Sequence, residues 1–327
     1  MMDNYGFYTG KSFDAYEFFG CHTDENGAVF RVFAPAAVRI SVIGEFNGWQ
    51  DTPMNKIGDG NFWAVYIEGV KPGQMYKYKI YKPDGSCMDH CDPYGYGMEL
   101  RPASASIVRN LYGYEFQDDA WMKKRSNGVA SALNIYEIHA GSWKKPQNGW
   151  YRYDELAMQL VPYLKEYGYN YIELLPIGEH PCDESWGYQC SGFYSPTSRY
   201  GTLDDYKKMI DILHHNDIGV IMDFVPVHFA LDAYALAKFD GTALYEYPHK
   251  DVGNSEWGSC NFMHSRGEVR SFLQSCANYW LKEYHVDGLR MDAISNMIYW
   301  QGNPARGVNK DAVAFLQNMN EGLVNRH

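Results

Sequence analysis

Two hydrophobic rhythms succeed one another along this chain, and they constrain its architecture more than any single motif does. Between about residues 29 and 107, short runs at 29–33, 38–43, 62–67 and 75–81 alternate apolar with polar side chains. Gly, Pro and Asn cluster between them, as in Asn47-Gly48 and Lys71-Pro72-Gly73. A period of two buries one face of a strand and wets the other, and several such strands at short spacing imply an all-β sandwich. After about Trp121 the rhythm changes. Apolar runs at 133–139, 171–176, 219–225 and 288–293 read as buried strands, and 153–167, 203–215, 268–284 and 308–324 carry helical spacing. Strands alternating with helices imply a parallel sheet covered by helices. A doubly wound sheet and a (β/α)8 TIM barrel both satisfy that alternation. With 327 residues, at about 100–200 per domain, two domains are expected: 1–120 and 121–327.

Charge and composition remove several function classes. The net charge of −11 is the wrong sign for nucleic acid or for an anionic membrane surface. No run reaches the roughly 18 apolar residues of a membrane span. The seven cysteines are odd in number, and residues 1–11 lack a basic segment followed by an apolar one. Free thiols in a reducing cytoplasm are therefore expected. Aromatic residues reach 16%, with 28 Tyr, which suits either a Tyr-rich core or surfaces that stack on sugar rings. Cys87-x3-Cys91 and Cys182-x7-Cys190 have no second matching pair, and there is no HExxH, P-loop or complete GxGxxG. No metal and no cofactor are expected. His214-His215 reads as solvated helix surface.

Three groups of residues can carry chemistry. Arg290 and Asp292 lie two apart in Gly288-Leu-Arg-Met-Asp-Ala293, so on a strand they share a face. A guanidinium there keeps a carboxylate ionised and oriented, as a nucleophile requires, although a structural ion pair would look the same. Asp223 ends the third strand and His228 follows it, an arrangement that suits a polar site at a barrel mouth or a satisfied structural pair. The two pairs occupy equivalent ends of consecutive strands, which strengthens both. Trp186-Gly187-Tyr188 lies in a long connection after the second strand, where a Gly between two rings can present one of them to a cavity or let both cover the core. Connections at 177–202 and 226–267 exceed the usual loop length and lie at the C-terminal ends of strands, where barrel active sites are built.

Taken together, these segments resemble the branching enzymes of the α-amylase superfamily. Asp223-Phe-Val-Pro-Val-His228 is similar to the first conserved segment of that superfamily, and Gly288-Leu-Arg290-Met-Asp292-Ala is similar to the second. Residues 186–201 resemble the branching-enzyme stretch after the second strand, and Tyr136-Glu-Ile-His-Ala-Gly-Ser-Trp143 resembles the first barrel strand. Phe30-Arg-Val-Phe-Ala-Pro35 and Ile43-Gly-Glu-Phe-Asn-Gly-Trp49 are similar to the carbohydrate-binding module ahead of the barrel.

The resemblance implies an α-1,4-glucan partner and a retaining transfer to a 6-hydroxyl. Asp292 would be the nucleophile, and Arg290 would hold it ionised. Asp223 and His228 would hydrogen-bond the sugar, and Tyr188 would stack on it. The family's acid/base Glu, on the fifth strand, and its later His-Asp pair have no matching residue here. The expected fold is thus a sandwich followed by about four of eight barrel units, a partial chain inactive by itself. A debranching or trehalose-releasing relative shares the same segments. A glucan-binding protein is the non-enzyme alternative, with Trp49 and Trp63 as sugar platforms or as core.

Overall fold

A computed structural model describes residues 2–125 and 132–327. A short helix, α1 (Asn4–Thr9), precedes eight strands: β1 (Gly20–Thr23), β2 (Gly27–Phe33), β3 (Arg39–Gly44), β4 (Thr52–Pro53), β5 (Asn55–Ile57), β6 (Phe62–Glu68), β7 (Met75–Tyr81) and β8 (Cys87–His90). They form two antiparallel sheets, ordered β1-β2-β6-β5 and β4-β3-β7-β8, with β9 (Ser106–Ile107) added to β7. The alternation predicted this: Tyr76, Tyr78 and Ile80 are buried while their neighbours on β7 are half-exposed. Trp63 is core, its indole N–H donating to the Ala34 carbonyl at 3.0 Å. The sugar-platform reading of Trp63 is therefore corrected. Trp49 remains 41% exposed at the end of a turn.

The second half holds β10 (Ile135–Ile138), β11 (Tyr171–Leu174), the hairpin β12 (Gly178–Glu179) and β13 (Gly192–Pro196), β14 (Gly219–Phe224), the pair β15 (His228–Phe229) and β16 (Cys260–Asn261), and β17 (Gly288–Met291). Its helices are α2 (Asp119–Lys124), α3 (Tyr153–Tyr167), α4 (Leu203–His215), α5 (Lys250–Gly253), α6 (Gly267–Glu283), α7 (Ile294–Ile298) and α8 (Lys310–Val324). The main sheet is parallel and ordered β10-β11-β14-β17. Strand order rises without reversal, whereas a doubly wound sheet reverses at a switch point. Four successive βα units of a barrel are therefore present. Ile172, Leu174, Val220 and Met222 bury one face of this sheet with Leu156, Leu160, Met209 and Leu213 of α3 and α4. The opposite face is free for polar side chains.

The chain's N-terminus binds the two halves together. Phe7 meets Phe19, Phe33 and Phe62 of the sandwich at ring-centroid distances of 5.0, 5.2 and 5.8 Å. From α6, Ser271 donates to the Phe7 carbonyl at 2.8 Å and Asn278 to that of Phe13 at 3.0 Å. The buried Tyr16 hydroxyl donates to Glu283 at 2.6 Å. Tyr94 on Tyr194 and Tyr96 on Tyr279 continue the contact, at 4.9 and 5.6 Å. Much of the aromatic surplus is therefore interior packing. Gly267 lies where α6 crosses this segment, and a Cβ there would overlap the Tyr8 carbonyl. Neither backbone can yield easily, so Gly267→Ala is expected to cost about 3 kcal/mol. Guanidinium unfolding of the variant checks this; an unchanged midpoint would show that the crossing is plastic.

His214 departs from its sequence reading. It is buried, with Nδ1 2.7 Å from Asp118 and Nε2 3.0 Å from Asp287. Only His215 is exposed. Amphipathic spacing placed the helix but could not foresee α2 covering its C-terminal end. Burial opposes an imidazolium at His214, yet the hydrogen bonds to Asp118 and Asp287 outweigh it and raise its pKa. A raised histidine stabilises the fold below its unfolded value near 6.5, and that contribution is lost as pH climbs through the folded value. The native chain should therefore exceed His214→Gln in stability by about 3 kcal/mol near pH 6. The margin should shrink as pH rises above about 6.5 in paired denaturant titrations. A margin that grows with pH would contradict the assigned charge state.

Candidate active site

On the sheet face opposite the helices, parallel register places Asp223 of β14 beside Arg290 of β17. Asp292 follows two residues later on the same side. The three meet through one nitrogen: Arg290 Nη1 donates to Asp223 Oδ2 at 2.7 Å and to Asp292 Oδ1 at 2.9 Å. The Tyr188 hydroxyl donates to the same Asp223 oxygen at 2.6 Å. Four sequence-selected residues thus form one hydrogen-bonded cluster drawn from two strand ends and a loop.

The two carboxylates are not equivalent. The Asp223 side chain is 1% exposed and that of Asp292 is 24% exposed. Burial pushes the Asp223 carboxyl above its ordinary range, against the pull of Tyr188 and Arg290. Its Oδ1 is buried without a hydrogen-bond partner among the described residues, and Asp223 lines a small cavity of about 20 Å³, room for roughly one water. Hydrogen bonding to Asp223, reinforced by both negative charges, raises Arg290 and keeps it a cation. Asp292 is therefore the accessible carboxylate, and Asp223 is the buried one that anchors its guanidinium.

The surrounding backbone explains why these residue types occur here. Gly187 has φ of 92°, and a Cβ would overlap the Pro176 carbonyl. Only glycine allows the loop to pass so close and still turn Tyr188 toward Asp223. Ala293, directly after Asp292, has φ of 48°, an uncommon conformation for a residue with a Cβ. It bends the chain away from the strand and leaves Asp292 at the rim.

His228 makes its side-chain hydrogen bond outside this cluster. Its Nδ1 lies 2.8 Å from Ser259 Oγ, and its ring lies 5.1 Å from that of Trp257. Burial lowers its pKa to about 4 despite the opposing charge of Asp292, so the ring is neutral near pH 7. The Tyr188 ring is half-buried and its hydroxyl is engaged with Asp223.

Sequence reasoning missed several neighbours. Glu173, paired in register with Glu137, reaches 3.9 Å from Arg290 Nε. Burial raises its carboxyl, and the charge of Glu137 adds to the effect. Period-two alternation in Tyr171-Ile-Glu-Leu174 was the available signal, since it puts Glu173 on the polar face. Ser259 and Trp257 come from a loop far along the chain and carried no signal. Among the described residues no group of three or more His, Cys, Asp or Glu is placed to hold a metal ion.

Comparison with known proteins accounts for both halves. Residues 18–95 match the family described as carbohydrate-binding module 48 (isoamylase N-terminal domain), and residues 157–251 match the alpha amylase catalytic domain. The chain is 45% identical over 98% of its length to the 1,4-alpha-glucan branching enzyme GlgB of Fusobacterium nucleatum, and 44% identical to that of Bacillus subtilis. It spans about half of these curated relatives, 53% of each. Among solved structures, one described as an alpha amylase from Salmonella typhimurium superposes with a TM-score of 0.72 at 26% identity, covering 93% of this chain and 47% of that one. A pullulanase from Paenibacillus barengoltzii superposes with a TM-score of 0.69 at 20% identity, covering 84% and 47%; it shows the fold alone.

Proposed function

We propose that this chain, a carbohydrate-binding module followed by part of an alpha-amylase-type catalytic domain and similar throughout to glucan branching enzymes, supplies the nucleophile half of a branching enzyme. The observation that carries the reading is Arg290 bridging a buried Asp223 and an accessible Asp292. One carboxylate anchors the guanidinium, and the guanidinium orients the other.

In the proposed reaction Asp292 attacks the anomeric carbon of an α-1,4-glucan. The C1–O4 bond breaks and its electron pair leaves on O4, which is protonated by a second carboxylic acid about 5–5.5 Å away. No residue of this chain is assigned to that acid. The 6-hydroxyl of an acceptor glucan then attacks C1, returns its proton to that acid's carboxylate and frees Asp292. Two displacements at one carbon retain the α configuration. His228 would hold a hydroxyl of the sugar next to the broken bond, and Tyr188 would pack on it. Asp223, expected from the sequence to bind the sugar, is too buried to reach it and would act through Arg290. Trp49 offers an exposed platform on the module. We place the domain boundary at 120/121 and the working compartment in the cytoplasm. Among the described residues no helix is long and apolar enough to cross a membrane.

A chimera tests the reading, with residues 1–327 replacing the matching half of the Bacillus subtilis relative. The folded chimera should lower the iodine absorbance of amylose and create α-1,6 linkages. Release of free reducing sugar without new branches would instead favour a debranching or trehalose-releasing enzyme.

A further inference from the structure

Away from the Arg290 cluster, a cavity of about 370 Å³ lies between the β7–β8 hairpin and the long connection after β14. Its size falls within the range of small-molecule sites. Lys82 and Met88 line it from the sandwich, and Leu231, Lys238, Glu246 and Lys250 line it from the catalytic half.

Its charges are unusual for this chain. The lysines that form ion pairs among the described residues are Lys79, Lys124, Lys208 and Lys282. Lys82, Lys238 and Lys250 are not among them, although the chain carries a net charge of −11. No carboxylate of the described residues lies within ion-pair distance of these three ammonium groups, although Asp84 and Glu246 are near enough to Lys82 and Lys238 to feel their charge. Three cations face one carboxylate in the lining, an excess that attracts an anion.

Glu246 gives the site a fixed interior. It is 6% exposed, and its Oε1 accepts from the Lys238 backbone N–H at 2.8 Å. Lys238 has φ of 47°, a conformation that a lysine holds only when its surroundings enforce it. Glu246 Oε2 is buried with no hydrogen-bond partner among the described residues, so a hydroxyl entering beside it would supply a bond that they leave unmade. Met88 is half-buried and Leu231 is 52% exposed. Together they offer an apolar surface to the C–H face of a ring.

The geometry points to a binding site for a small hydroxylated anion, a hexose phosphate, clamped between the binding module and the catalytic half. The phosphate would meet the lysines, a ring hydroxyl would meet Glu246, and the ring would cover Met88 and Leu231. A neutral glucan would leave the excess of ammonium groups over the single Glu246 carboxylate unbalanced. Because the lining comes from both halves, the bound molecule would oppose their separation.

Calorimetric titration of residues 1–327 with glucose 6-phosphate, inorganic phosphate and maltose tests this. Glucose 6-phosphate should bind saturably, about tenfold or more tighter than either of the others, and more weakly as salt is raised. Lys238→Ala and Lys250→Ala change exposed side chains, and each should weaken binding about tenfold. Asp292→Asn should leave it unchanged. Maltose binding as tightly would mean a neutral-sugar groove, and phosphate binding as tightly an adventitious anion site only. Either result, no saturable binding, or loss of binding in Asp292→Asn would overturn the proposal. The readout is binding, so failure here is distinguishable from failure to form branches.

Discussion

Asp292→Asn in the chimera is expected to lower branching by about 10⁴-fold or more while shifting the unfolding temperature by no more than about 2 °C. An amide keeps the shape of the side chain, and its carbonyl can still accept from Arg290 Nη1, so packing at this accessible position changes little. It has no negative charge with which to form the covalent glucosyl ester. An oxocarbenium-like transition state would also lose its nearest counter-charge. Newly formed α-1,6 linkages, counted after debranching, measure the effect directly. Retention of more than about 1% of the rate would remove Asp292 from the nucleophile's role.

Arg290→Ala should act on stability as well as on activity. It strips the buried Asp223 carboxylate of the one cationic partner it has among the described residues, where the Tyr188 hydroxyl is its other partner. An uncompensated buried charge of this kind costs about 3 kcal/mol. The second substitution Asp223→Asn should recover part of that loss, because it removes the stranded charge. In a double-mutant cycle the paired variant should thus be more stable than Arg290→Ala alone. Branching should stay low in both variants, since Asp292 would be unheld. If the double variant were less stable than the single, the cost would lie in Arg290's packing rather than in electrostatics.

Legibility followed the range of the interaction. The strands and long helices were readable because each expresses a local period: Tyr153–Tyr167 and Leu203–His215 begin and end where the spacing predicts. The Arg290–Asp292 pairing was readable because strand geometry projects side chains two apart onto one face. Doubly wound sheet and barrel could not be separated from periodicity, since both alternate in the same way and differ only in which strands become neighbours. Trp63 and His214 show the same limit at single residues. Whether a tryptophan on an alternating strand, or a histidine on a helix, meets solvent depends on what packs over it. For His214 that cover is Asp118 and Asp287, from segments far apart in the chain.

By itself, then, the sequence determined the two halves, the order of their elements, and the five residues Tyr188, Asp223, His228, Arg290 and Asp292 as candidates. These follow from local periodicity and from motifs a few residues long. Only the tertiary structure decided that one guanidinium nitrogen joins two carboxylates, that Asp223 is the buried anchor, and that Asp292 is the accessible partner. Depth and contact arise when distant segments pack, and no local spacing encodes them. Equally, nothing in the spacing of Lys82, Lys238 and Lys250 shows that they share a cavity, because the seam exists only once the sandwich rests on the half-barrel.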